Sequence, residues 1–171
     1  KRFVTPIIKD CHYFVSSQCD PSVLEETPKE QSWMWHCASK VTLDTVQEWL
    51  EENKDGRIVH PVYGGSTVTV CALVALAMLG YRKIEVFGLD SCFLKDAHHA
   101  YAQSENDVDT PQEVLVGGET FLAAPWMAVQ ADDILRVIKY VLSKLEGFGM
   151  LIHGDGLVAA MLKNAGNPKG D

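Results

Sequence analysis

The order of residue patterns along this chain predicts an α/β protein: a Rossmann-like, doubly wound and mostly parallel sheet with helices on both faces. Three observations carry that expectation. Short runs rich in β-branched and aromatic residues alternate with stretches of helical periodicity, the arrangement that winds a parallel sheet. The stretch His60–Asp90 reads as a glycine-bearing turn, a buried helix, a tight reversal and an apolar strand. Asp90 then leaves the carboxyl end of that strand, where ligands bind in open α/β sheets.

In chain order, Tyr13–Ser17 (YFVSS) has strand character. Asp20-Pro21 reads as a helix N-cap followed by Pro at the first helical position, opening a short helix from Ser22 to about Thr27. Ser32–Cys37 (SWMWHC) is the next strand, with Trp33 and Trp35 on one face. Thr42 is expected to cap a helix reaching about Asn53, with Leu43, Val46, Trp49 and Leu50 as its core stripe and Asp55-Gly56 as its end. Ile58–Val62 is a short strand whose Pro61 restricts its pairing.

The segment from Val68 to Leu79 is apolar on nearly every side, which predicts a helix covered on both faces. Ser66 and Thr67 are its natural N-cap residues, and Gly80 stands where a left-handed C-cap belongs. Ile84, Val86 and Phe87 form the following strand. Ser91–Asp109 lacks periodicity, and a connection of that length is usually functional or mobile. Gly117-Gly118 joins Glu113–Val116 to Thr120–Ala123 as an antiparallel hairpin. Pro125 opens a long helix whose stripe of Ile134, Val137, Ile138, Val141, Leu142 and Leu145 is expected to run to Gly147. Met150–His153 is a last strand, Leu157–Leu162 a last helix, and residues 164–171 a frayed tail. The whole, 1–171, reads as a single domain.

Composition narrows the function classes. A length of 171 residues with 47% hydrophobic content supports one domain with a real core. A formal net charge of −8 argues against nucleic-acid binding, which needs many phosphate-facing cations. No apolar run approaches the ~20 residues needed to span a bilayer, so no membrane span is expected. The beginning of the chain lacks the apolar core of a signal peptide, and a cytoplasmic location is expected. The five cysteines are odd in number and form no CxxC pair, so they read as reduced, mostly buried thiols.

Five groups of residues have the chemistry of a site. Gly64, Gly65, Ser66 and Thr67 precede a helix whose free N–H groups suit an anion, although the Walker lysine and the third glycine of a dinucleotide fingerprint are absent. Asp90 and Ser91 can hold a ribose hydroxyl or Mg²⁺ with phosphate oxygens completing the shell. Asp96–Gln103 gathers two imidazoles, a phenol and an amide on one loop, suited to acid–base or hydrogen-bonding work. His153-Gly154-Asp155-Gly156 forms another strand-to-helix turn, and Ser16–Cys19 follows the first strand at its carboxyl end.

The run GGSTVTVCALVALAMLGYRKIEVFGLDSCF, with HHAYAQSEND, YFVSSQCDPSVLE, SWMWHC and IHGDGL, resembles the MptE-like family, named for archaeal 6-hydroxymethylpterin diphosphokinase. The resemblance implies a nucleotide-dependent transferase, most simply one moving diphosphate from Mg-ATP to a hydroxylated small molecule. It implies Asp90 and His99 as catalytic residues, with Asp90 on the metal. It also implies Gly65, Ser66, Thr67, Ser91, Tyr101 and Gln103 as nucleotide or substrate contacts, to which the glycine turns themselves add Gly64 and Gly154. Members of that family typically carry an upstream strand and a GxGPSL-type loop, which this chain does not show, so it reads as trimmed or divergent. The GST–helix–LGY–strand segment is also similar to bacterial Rossmann-like sialyltransferases, although Ala124–Asp133 holds no histidine of the kind their mechanism uses. Two alternatives follow: a glycosyltransferase acting on surface glycans or flagellin, or a non-catalytic Rossmann-like binding module.

Overall fold

The computed structural model describes residues 6–56, 61–63, 65, 67–93 and 110–166. The protein is mixed α/β, and the chain divides into two compact units, Lys1–Gly64 and Gly65–Asp171.

In the first unit, β1 (Tyr13–Ser16) pairs in parallel with β2 (Ser32–Trp35), in a register running from Tyr13 opposite Ser32 to Ser16 opposite Trp35. Val62 continues the parallel order beyond β2: its N–H donates to the His36 carbonyl and its own carbonyl accepts from Ala38 N–H, both at 2.8 Å. Most of the strand expected at Ile58–Val62 lies outside the described residues. Helix α1 (Pro21–Glu26) begins as the sequence predicts, with Pro21 in the first turn and Asp20 as N-cap. The Asp20 carboxylate accepts from the Ser22 hydroxyl at 2.6 Å and the Ser22 N–H at 2.9 Å, and these bonds hold its pKa below the ordinary carboxylate value.

Helix α2 (Lys40–Glu52) differs at both ends from expectation. Its N-cap is Ser39, whose hydroxyl accepts from Thr42 N–H at 3.2 Å, so Thr42 lies inside the first turn. The reason is local, because a serine three residues ahead of Thr42 can satisfy an orphan donor that Thr42 cannot reach. At the other end Lys54, not Gly56, takes the left-handed conformation (φ +51°). Asp55 N–H reaches back to the Leu50 carbonyl and Lys54 N–H to that of Glu51, the paired bonds of a Schellman ending. Leu50 is buried in the expected stripe, while Trp49 is half exposed.

The second unit opens with α3 (Val68–Met78). Val70, Cys71, Leu73, Val74 and Ala77 are buried, but Val68 is 74% exposed and Met78 and Leu79 are also exposed. The expectation of cover on both faces is therefore corrected: an all-round apolar sequence permits two-sided burial without requiring it. Gly80 (φ +98°) closes the helix as predicted, with Gly80 N–H donating to Ala77 and Tyr81 N–H to Leu76. The Arg82 guanidinium adds a bond to the Ala77 carbonyl at 2.8 Å.

β3 (Lys83–Phe87) and β6 (Gly149–His153) pair in parallel, from Lys83 opposite Gly149 to Phe87 opposite His153. β4 (Gln112–Val116) and β5 (Glu119–Ala123) form the expected antiparallel hairpin. Its two turn residues both have positive φ, Gly117 at +58° and Gly118 at +87°, the requirement of a type I′ turn. Helix α4 (Pro125–Tyr140) starts at Pro125 but ends earlier than its apolar stripe, and Leu142–Lys144 is a separate 3-10 turn. Val141, at φ −115° and ψ −67°, leaves helical geometry, so Leu142 is buried from the 3-10 turn instead of from α4. Helix α5 (Leu157–Gly166) extends beyond the expected end and takes in Asn164–Gly166, residues assigned to a frayed tail. The core of this unit is built on α4 and α5, with Ala131, Ile134, Leu157 and Val158 fully buried.

Candidate functional site

The parallel pairing of β3 with β6 brings two strand ends together, and each end carries a candidate group. Beyond β3 the chain turns at Gly88 (φ +69°), buries Leu89 and presents Asp90. Beyond β6 it turns through Gly154-Asp155-Gly156 into α5. These two turns close on each other. A methyl carbon placed on Gly154, whose φ is +126°, would lie 3.0 Å from Asp90 Oδ1. One placed on Gly156 would lie 2.5 Å from Asp90 Cα and 2.6 Å from its carbonyl oxygen. Only glycine lets the second turn come this close to the first. The Val158 N–H also points to the Asp90 carbonyl at 3.4 Å.

Ser91 follows in the left-handed region (φ +51°), where a side chain costs about 1–2 kcal/mol. Its hydroxyl donates to Gln130 Oε1 at 3.0 Å, fixing the turn to α4. Non-glycine residues held in such conformations concentrate at ligand sites. Cys92 is buried behind them, and burial pushes its thiol pKa up, which makes it a poor nucleophile. Phe93 N–H donates to the Leu122 carbonyl at 2.7 Å, anchoring the exit of this segment to β5.

On the outer face of the strand pair, His153 Nε2 lies 2.9 Å from Glu85 Oε2 and its ring stacks on Phe87 with centroids 4.0 Å apart. A cleft of about 370 Å³ runs between the hairpin turn and α5, lined among others by Glu119, Asp155, Lys163 and Asn164. Asp155 belongs to both the cleft and the Gly154–Gly156 turn.

Of the residues singled out from the sequence, Asp90, Ser91 and Gly154 come together at the strand ends. Gly65 and Thr67 stand at the start of α3, where their described contacts are to the helix itself. Gly65 (φ +50°) closes on Val70, with a methyl there falling 2.8 Å from Val70 Cγ1. Thr67 occupies the N-cap position, but its buried Oγ1 makes no hydrogen bond, so the expected side-chain cap is not formed. Gly64, Ser66, His99, Tyr101 and Gln103 lie outside the described residues. Sequence reasoning missed Gln130, which sits on a helix 39 positions from Ser91 and has no local signature.

Among the described residues, no three His, Cys, Asp or Glu side chains gather as a metal cluster, and no helix is long and apolar enough to cross a membrane. Comparisons of the chain with protein-family models, characterised proteins and solved structures return no match.

Proposed function

We propose that this chain is a nucleotide-dependent transferase of the MptE-like kind, built on a Rossmann-like doubly wound plan and moving diphosphate from Mg-ATP to a hydroxylated small molecule. The observation that carries this reading is the Asp90 carboxylate, held against the Gly154–Gly156 turn at the carboxyl ends of a parallel strand pair. That position is where α/β sheets take ligands.

In this reading Gly64–Thr67 and Gly154 approach the phosphates, Ser91 orients the strand-end turn, and Tyr101 and Gln103 contact the base or the acceptor. The acceptor hydroxyl gives its proton to His99 as its oxygen bonds to the β-phosphorus. The bond between that phosphorus and the bridging oxygen breaks, and AMP leaves. Asp90 supplies one carboxylate, the donor class Mg²⁺ prefers. A single carboxylate fits an ion that arrives with phosphate oxygens and water, in contrast to one caged by protein. When bound, Mg²⁺ would neutralise charge on the transferring phosphates.

Thermal unfolding with ligand panels tests this. Mg-ATP at about 100 Kd should stabilise the chain by about 2.7 kcal/mol, a rise in Tm of roughly 5–10 °C. Asp90→Asn should lose that rise while keeping the unliganded Tm. Stabilisation by CMP- or UDP-sugars in place of ATP would move the assignment to glycosyl transfer. No response to either would leave a non-catalytic binding module.

A further inference from the structure

The cleft between the hairpin turn and α5 is not used by the Asp90 reading, and its space of about 370 Å³ is within the range of small-ligand sites. Three charged side chains line it: Glu119, Asp155 and Lys163. Among the described residues these three form no ion pair, with one another or with any other group. Asn164, beside Lys163, brings an amide to the same lining.

The fold orders these groups along the cleft. Glu119 is the first residue after the Gly117-Gly118 turn, opposite Val116. The same turn meets the end of α5, since a methyl on Gly117 would lie 3.6 Å from Asn164 Oδ1. Glu119, Lys163 and Asn164 therefore share one end. Asp155 marks the other, because it precedes Leu157, the first residue of α5. From Leu157 to Lys163 the helix axis advances roughly 9 Å, at about 1.5 Å per residue. Between the two ends the walls include Val116 and Ala160, both half-buried and uncharged.

We infer that this cleft binds a free amino acid with a cationic side chain. Two carboxylates and one ammonium call for the inverse in a ligand, two positive charges and one negative. At the hairpin end the ligand's α-ammonium meets Glu119, and its α-carboxylate accepts from the Lys163 ammonium and the Asn164 amide. Its alkyl stem lies along Val116 and Ala160, and its side-chain cation reaches Asp155. The chain's net charge of −8 favours the approach of a ligand that is positive overall. A phosphate or a dicarboxylate would meet two like charges for its one cationic partner.

Isothermal titration calorimetry of the full chain, without nucleotide, tests this with an outcome that does not depend on the Asp90 reading. L-lysine is the probe, and three analogues each remove one of its charges. Nα-acetyl-L-lysine lacks the α-ammonium, 1,5-diaminopentane the carboxylate, and L-norleucine the side-chain cation. Each should bind about fivefold more weakly than L-lysine, the upper loss for one exposed ion pair. Matching variants should erase each difference. Glu119→Gln brings L-lysine and its acetyl derivative together, Lys163→Met does so for L-lysine and 1,5-diaminopentane, and Asp155→Asn for L-lysine and L-norleucine. All three positions are exposed, so the variants should keep the parent's Tm. No binding of L-lysine overturns the inference. So does 1,5-diaminopentane binding as tightly as L-lysine, which would mean only diffuse attraction of cations to an acidic chain. A difference that survives its matching variant overturns it as well.

Discussion

Gly156 makes the sharpest statement at the scale of single residues. Nothing in HGDG read as sequence distinguishes its second glycine from an ordinary turn residue, because the distinction comes from Asp90, far away along the chain. Backbone atoms of Asp90 occupy the space a side chain would need. Gly156→Ala should therefore destabilise the fold by about 1–3 kcal/mol, the range for overpacking a filled site. Gly149→Ala is the control, since a methyl there meets nothing within 4 Å. Urea midpoints should separate the two variants clearly, and equal midpoints would contradict the close approach of the two turns. Asp90 itself was legible from its place after an apolar strand. Its partners Gly156 and Gln130 were not, because tertiary contacts leave no local periodicity.

At the scale of elements, local chemistry was readable wherever one residue type has a single geometric use. Asp20-Pro21, Gly80, Gly117-Gly118 and Pro125 each stand where the sequence predicts a helix start, a helix end or a hairpin turn. Reading fails where several residues compete for one role. Ser39 and Thr42 are both capable caps, and the structure uses the earlier one. Asp55-Gly56 offers an obvious helix stop, yet Lys54 takes the left-handed position before it. That choice carries strain that glycine would not, so Lys54→Gly should stabilise the chain by about 1 kcal/mol, read as a raised thermal midpoint. An unchanged or lower midpoint would show that Lys54 gains more from its side chain than its backbone loses. The apolar stripe after Tyr140 is a third case, since periodicity alone does not say whether Leu142 is delivered by a helix or a 3-10 turn.

On the scale of the whole molecule, alternation of strand and helix patterns foretold a mixed α/β protein, and the described strands form two parallel pairs and one antiparallel hairpin. Composition was less informative about cover. The same apolar sequence that predicts a helix buried all round leaves Val68 74% exposed, and Phe87 is 70% exposed on its strand. What lies over a face is decided by the surroundings of an element, which its own residues do not encode. The net charge of −8 adds a diffuse repulsion that no single contact reveals.

The pairing of β3 with β6 also sets the order in which the second unit assembles. Glu85 and His153, joined across it, are 68 positions apart, whereas β4 and β5 are joined by a two-residue turn. A hairpin closes in about 1–10 μs, but the parallel pair must first meet the entropy of a long loop. Val114→Ala in the hairpin should therefore slow refolding, while Ile84→Val in β3 should chiefly speed unfolding; stopped-flow chevrons distinguish the two. The reverse pattern would place β3–β6 in the nucleus. With the expected order, the turns carrying Asp90 and Gly154 meet late in folding and are among the first to part, so local opening of this unit begins at its candidate site.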